Sequence, residues 1–137
     1  MQFYTQNGHQ GEKYEDTKGL TTVQIAKLIR QEIKKKYPTM KIYVRSHLYS
    51  GGSSIYVRIK DCGFNPLNPE WNPREVSNIK IHRYNEKARK LQEELQKIGE
   101  KYNYSDCDGM IDYFNVRFWL SVEFDWEMER VWLNENK

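Results

Sequence analysis

A chain of 137 residues with 30% charged and 14% aromatic side chains is long enough for one core and too aromatic for a disordered polymer. Its formal net charge of +3 is unevenly placed: residues 21–60 carry nine Lys or Arg against the single acid Glu32, whereas residues 121–137 carry five acids against two bases. No apolar run reaches the length of a membrane span and the first residues lack a secretory pattern, which leaves a cytoplasmic domain with no membrane partner as the expectation.

Residues 1–20 contain three glycines and mixed charge without periodicity. They read as a mobile N-terminal arm in which Gln2–Gln6 offers an edge strand, ahead of a single domain over residues 21–137. Val23, Ala26, Ile29, Ile33 and Tyr37 then recur at helical spacing, widened by Ile25 and Leu28, and predict a helix over Thr21–Tyr37. Thr21 and Gln24 have capping-box spacing, Lys34–Lys36 suit the negative end of the helix dipole, and Pro38 stops the element.

From Ile42 to Lys60 the period changes to two. Ile42, Val44 and Leu48 alternate with Tyr43, Arg45, His47 and Tyr49, and Ile55, Val57 and Ile59 alternate with Tyr56, Arg58 and Lys60. Two half-buried strands follow, joined by the loop Ser50-Gly51-Gly52-Ser53-Ser54, whose glycines supply the positive φ of a hairpin connection.

Asp61–Pro73 is rich in Pro and Asn and reads as a loop, with Asn72-Pro73 as cap and first turn of a second helix running to about Tyr102 and broken near Ile81. Within it Tyr84, Ala88, Leu91, Leu95, Ile98 and Tyr102 make a seam of under three heptads, which suits packing on a sheet better than a homodimeric coiled coil and leaves monomer or homodimer open. Ser105–Met110 reads as a turn. Phe114 to Trp126 is apolar at every second position, a strand or bent pair of strands with one buried face, and Glu127–Lys137 fits a short helix or another strand. The expected fold is α+β: a two-layer sandwich with a small antiparallel or mixed sheet, the hairpin plus the long C-terminal strand, against two helices.

Four blocks come in a distinctive order: TVQIAKLIRQEIKKKY at Thr22–Tyr37, KIYVRS at Lys41–Ser46, SGGSSIYV at Ser50–Val57 and DGMID at Asp108–Asp112. In these the chain resembles the large polyvalent protein-associated domain family numbered twenty-nine, over roughly Thr21–Tyr113. The resemblance implies a phage or mobile-element product in a bacterial host, with no defined catalytic activity. A small domain of that origin fits a non-enzymatic, anti-CRISPR-like inhibitor of a bacterial defence protein or ribonucleoprotein.

The residues themselves offer several chemistries. If the three strands pair, Tyr43, Arg45, His47, Tyr49, Tyr56, Arg58, Arg117 and Trp119 share one sheet face, and with the loop Ser50, Gly51, Gly52 and Ser53 they form the candidate partner-binding set. Tyr, Trp and Arg suit protein hot spots, and equally a nucleic-acid-binding module in which rings stack on bases and arginines reach phosphates. The competing expectation is that a helix or the N-terminal arm covers this face. The Ser/Gly loop is either a plain turn or a phosphate nest, and it lacks the P-loop lysine. Asp106, Asp108 and Asp112 with His47 and His82 define a third reading, a metal-dependent hydrolase or nuclease, although aspartates beside glycine usually serve turns. Cys107 and Ser50 lack a His/Asp partner at nucleophile spacing. Cys62 and Cys107 have no CxxC spacing and read as reduced thiols, and no cofactor is expected.

Overall fold

The alternation between residues 41 and 61 produces a two-stranded antiparallel ladder. In a computed structural model, which describes residues 8–72, 81–108 and 113–135, β2 (Lys41–Tyr49) pairs with β3 (Gly52–Asp61) from Lys41↔Asp61 to Tyr49↔Gly52, with a register shift beside Ile42. The connection is tighter than the expected five-residue loop. Only Ser50 and Gly51 turn, Gly51 with φ of 91°, while Gly52, Ser53 and Ser54 already belong to the ladder.

β6 (Trp119–Phe124) joins the other edge of β3 in parallel, from Ser54↔Trp119 to Ile59↔Phe124, so the sheet is mixed with order β2-β3-β6. Two helices cover its inner face. In α2 (Thr22–Lys36) the capping box forms in full, Gln24 N–H donating to Thr21 Oγ1 and Thr21 N–H to Gln24 Oε1, and Ile25, Ala26, Ile29 and Ile33 are buried. α3 (Glu86–Glu100) starts at Asn85, whose Oδ1 accepts from Ala88 N–H at 2.9 Å, and buries the seam Ala88, Leu91, Leu95 and Ile98. These meet Val44, Ile55, Val57, Ile59 and Phe124 in one core. Each fully buried Ile or Leu there contributes about 1.5–3 kcal/mol. Leu48 shares the inner parity of β2 but is exposed, because it lies past the core.

A second, antiparallel sheet has order β1-β4-β5, made of β1 (Gly8–Gln10), β4 (Tyr104–Asp108) and β5 (Tyr113–Val116). Three expectations change here. Residues 8–20, read as part of a mobile arm, form β1 and the short helix α1 (Tyr14–Thr17), held by Gly11 N–H to Asn103 O at 2.9 Å and Lys13 N–H to Lys101 O at 2.8 Å. The turn expected at Ser105–Met110 is a strand as far as Asp108, paired on both edges. The long alternation from Phe114 is divided between the two sheets at Arg117–Phe118.

The buried Asn103 explains the division: its amide donates to Phe118 O at 3.0 Å, and its Oδ1 accepts from Phe118 N–H at 3.3 Å and Tyr104 N–H at 2.9 Å. One side chain thus satisfies backbone groups where the ladder parts. The last segment is a helix, α4 (Trp126–Glu135), which Asp125 caps by accepting from Glu127 N–H at 2.8 Å. The expected strand at Gln2–Gln6 and the helix start at Pro73 lie outside the described residues. The fold is α+β, with two small sheets where one was expected.

Candidate functional site

Pairing on both edges of β3 places nine side chains on the outer face of the mixed sheet, in three rows. Tyr43, Arg58 and Glu123 form the first, Arg45, Tyr56 and Ser121 the second, and His47, Ser54 and Trp119 the third. The opposite parity carries the core, so the alternation of each strand sorts aromatic and charged residues outward. Tyr43 is 46% exposed, Tyr56 40% and Trp119 52%, and none of them belongs to the core cluster. Among the described residues these three rings are therefore uncovered, while Ser54 in the third row is buried and donates to the Tyr49 hydroxyl at 3.4 Å.

Its electrostatics are local. The Arg45 guanidinium lies 6.0 Å from the Tyr43 ring centroid and Lys60 Nζ lies 5.7 Å from the same ring. Lys60 also donates to Asp125 at 2.5 Å, and this hydrogen bond holds the buried Asp125 carboxyl below its ordinary range. Arg58 and Glu123 are 3.8 Å apart, both about half exposed, a pair of the kind that contributes little in water. The His47 and Tyr49 rings sit 5.7 Å apart at the hairpin end. Tyr43, Arg45, Tyr56, Arg58 and Lys60 surround a shallow depression of about 270 Å³. A larger recess of about 450 Å³ beside β1 is lined by three lysines and three glutamates, with Lys36 and Glu94 3.9 Å apart.

The structure brings together Tyr43, Arg45, His47, Tyr56, Arg58 and Trp119 from the expected set, with Tyr49, Ser50, Gly51 and Gly52 at the hairpin end. It removes two residues. Arg117 has the parity of Trp119 but lies beyond the end of β6, where its guanidinium donates to Thr17 Oγ1 at 3.0 Å, Tyr102 O at 2.8 Å and the Thr17 carbonyl, and sits over the Tyr14 ring. Burial there lowers its pKa. Arg117 thus clamps the N-terminal segment and presents no charge on the sheet. Ser53 is buried, its hydroxyl hydrogen-bonded to Thr22 Oγ1 at 2.8 Å and donating to Arg117 O at 3.2 Å, so the loop offers no five-residue nest.

The proposed metal ligands are dispersed. His47 is on the outer face of the mixed sheet, Asp106 and Asp108 are on β4 of the other sheet, His82 precedes α3, and Asp112 lies outside the described residues. Among the described residues no three His, Cys, Asp or Glu side chains converge. Cys107 is on β4 opposite Phe114. Cys62 is buried, donating to Phe64 O at 3.1 Å, and burial pushes its thiol pKa up. Sequence reasoning did not place Ser54, Ser121 and Glu123 on the face. Their parity was visible, but only the parallel pairing of β6 with β3 gives them neighbours.

No curated protein and no solved structure matches the chain. The model of large polyvalent protein associated domain 29 matches residues 20–121, a span that runs from α2 through the hairpin to Ser121. That match covers most of the sequence, and the chain belongs to the large polyvalent protein associated domain 29 family.

Proposed function

We propose that this chain is a non-enzymatic binding protein that docks a bacterial defence protein or ribonucleoprotein on the outer face of its mixed sheet and so blocks it. The observation that carries this reading is the uncovered face itself, with Tyr43, Tyr56 and Trp119 exposed beside Arg45 and Arg58. Tyr, Trp and Arg supply large contact area and strong hydrogen bonds at little conformational cost, which makes them the usual anchors of binding surfaces. The family suggests a phage or mobile-element context, in which an inhibitor of host defence has a use.

The test is a plaque assay on strains carrying CRISPR or restriction systems, with and without expression of the chain. The wild type should restore plaquing on at least one defended strain. Arg45→Glu combined with Arg58→Glu should abolish that restoration while circular dichroism stays native, since neither arginine contributes to the core. Full protection by the folded double variant would place the working surface elsewhere on the molecule.

A further inference from the structure

We infer that the occupant of this face is a single-stranded nucleic acid, such as the exposed strand of a ribonucleoprotein, an inference that rests on the face being the working surface. The pairing sets Tyr43, Tyr56 and Trp119 on one diagonal, one ring on each of β2, β3 and β6. Strand separation and a two-residue step put neighbours on that diagonal about 8 Å apart. A diagonal of separated rings is a stacking platform on which consecutive unstacked bases can each find a partner.

Composition decides between this occupant and a protein. The nine outward positions hold three aromatics, two arginines, a histidine, two serines and a glutamate, and no aliphatic residue. The core of a protein interface enriches aromatics and arginine but is depleted of acids and serine, whereas this face carries a glutamate and two serines and no aliphatic side chain beside its rings. Here Arg45 and Arg58 flank the central ring, Tyr56, directly. The charges are also asymmetric about the diagonal. Arg45 lies on one side, next to His47, with no acid among the nine positions there, whereas Arg58 on the other side is offset by Glu123 at 3.8 Å. Phosphates therefore track the Arg45–His47 side, with bases over the rings and one entering the depression between Tyr43 and Tyr56. An intact duplex cannot use the platform, because its bases are already stacked on one another.

The experiment is fluorescence anisotropy with labelled oligothymidylate and oligouridylate of about a dozen nucleotides, a length that covers one small binding sheet, and a duplex control. Wild type should bind the single strands at least tenfold better than the duplex. With two phosphates neutralised, the log–log salt slope should be about −1.4. Tyr56→Ala should weaken binding by tenfold or more, with Tyr56→Phe restoring it. Glu123→Gln, an exposed change that leaves the core untouched, should tighten binding about two- to fivefold by freeing Arg58. Wild type that binds neither oligonucleotide overturns the inference, and the plaque assay with the double arginine variant then decides separately whether the face docks a protein. Single-strand binding that is indifferent to both Tyr56→Ala and Glu123→Gln in folded proteins also overturns it.

Discussion

Gly11→Ala isolates the docking of the N-terminal segment. Gly11 is buried where β1 passes the end of α3, and an added Cβ would lie 2.2 Å from Lys101 O and 2.3 Å from Glu100 O. Both obstacles are backbone, so relief requires a shift of about 1 Å in a close-packed interior. A shift of that size takes the 2.9 Å bond from Gly11 N–H to Asn103 O and the 2.8 Å bond from Lys13 N–H to Lys101 O beyond hydrogen-bonding range. At about 0.5–1.5 kcal/mol each, the loss is about 1–3 kcal/mol, felt by the segment and not by the mixed sheet. Native-state hydrogen exchange reads this directly: the Gly11 and Lys13 amides should exchange about 5- to 150-fold faster, with hairpin amides as the unchanged control. Wild-type exchange rates in Gly11→Ala would refute the docking described for residues 8–20.

Gly51→Val should destabilise by about 1–3 kcal/mol in urea titration because φ of 91° strains any branched residue, whereas Gly52→Val meets only the movable Tyr49 ring at 3.2 Å and should cost less. Equal effects of the two would mislocate the turn. Glu129, buried on α4, accepts hydrogen bonds from Arg83 and the Tyr84 hydroxyl; Glu129→Ala should cost about 2 kcal/mol, below the range for fully buried pairs since Arg83 is nearly half exposed. Double-mutant cycles with Tyr84→Phe should show coupling between the two. Burial raises the Glu32 pKa, but hydrogen bonds from Lys101 at 2.5 Å and Lys13 at 3.2 Å outweigh it, and the net shift is downward from 4.5. A lowered folded pKa gives stability that is present above the unfolded value and lost as pH falls through the folded one. Thermal melts below about pH 4.5 should therefore fall less steeply for Glu32→Gln than for wild type.

The hairpin and both covering helices were legible because their periodicity matches their burial. Ile25, Ile29 and Ile33 face the core that Val44, Val57 and Ile59 also face, and no distant partner is needed to see it. The sheet change at Arg117–Phe118 was illegible for an instructive reason. Val116, Phe118 and Leu120 keep the same parity through the break, so two strands in different sheets read as one, and the signal for the break, Asn103, lies in the distant connection between α3 and β4. β4 was hidden because Ser105-Asp106-Cys107-Asp108 has turn composition, and its pairing with residues 8–10 and 113–116 outweighs that local preference. Arg117 matched the exposed face by type and parity. Only the segment docked over it shows that its charge is already spent.

The parallel seating of β6 beside β3 makes the binding face a composite of distant chain segments. Two of its columns are sequence neighbours across a two-residue turn, but the third arrives after α3 and the whole second sheet have been threaded. Bringing Trp119 beside Ser54 means closing a long loop, an entropic cost that is recovered only when the core under α3 forms. A nascent chain that has emerged as far as Asp61 holds the tyrosines and arginines on a bare ribbon, with one edge of β3 open to wrong partners. The face is therefore completed late: Ile59 O accepts from Asp125 N–H at 2.9 Å and Lys60 grips the Asp125 carboxylate, fastening β6 only once the segments between Asp61 and Trp119 are in place.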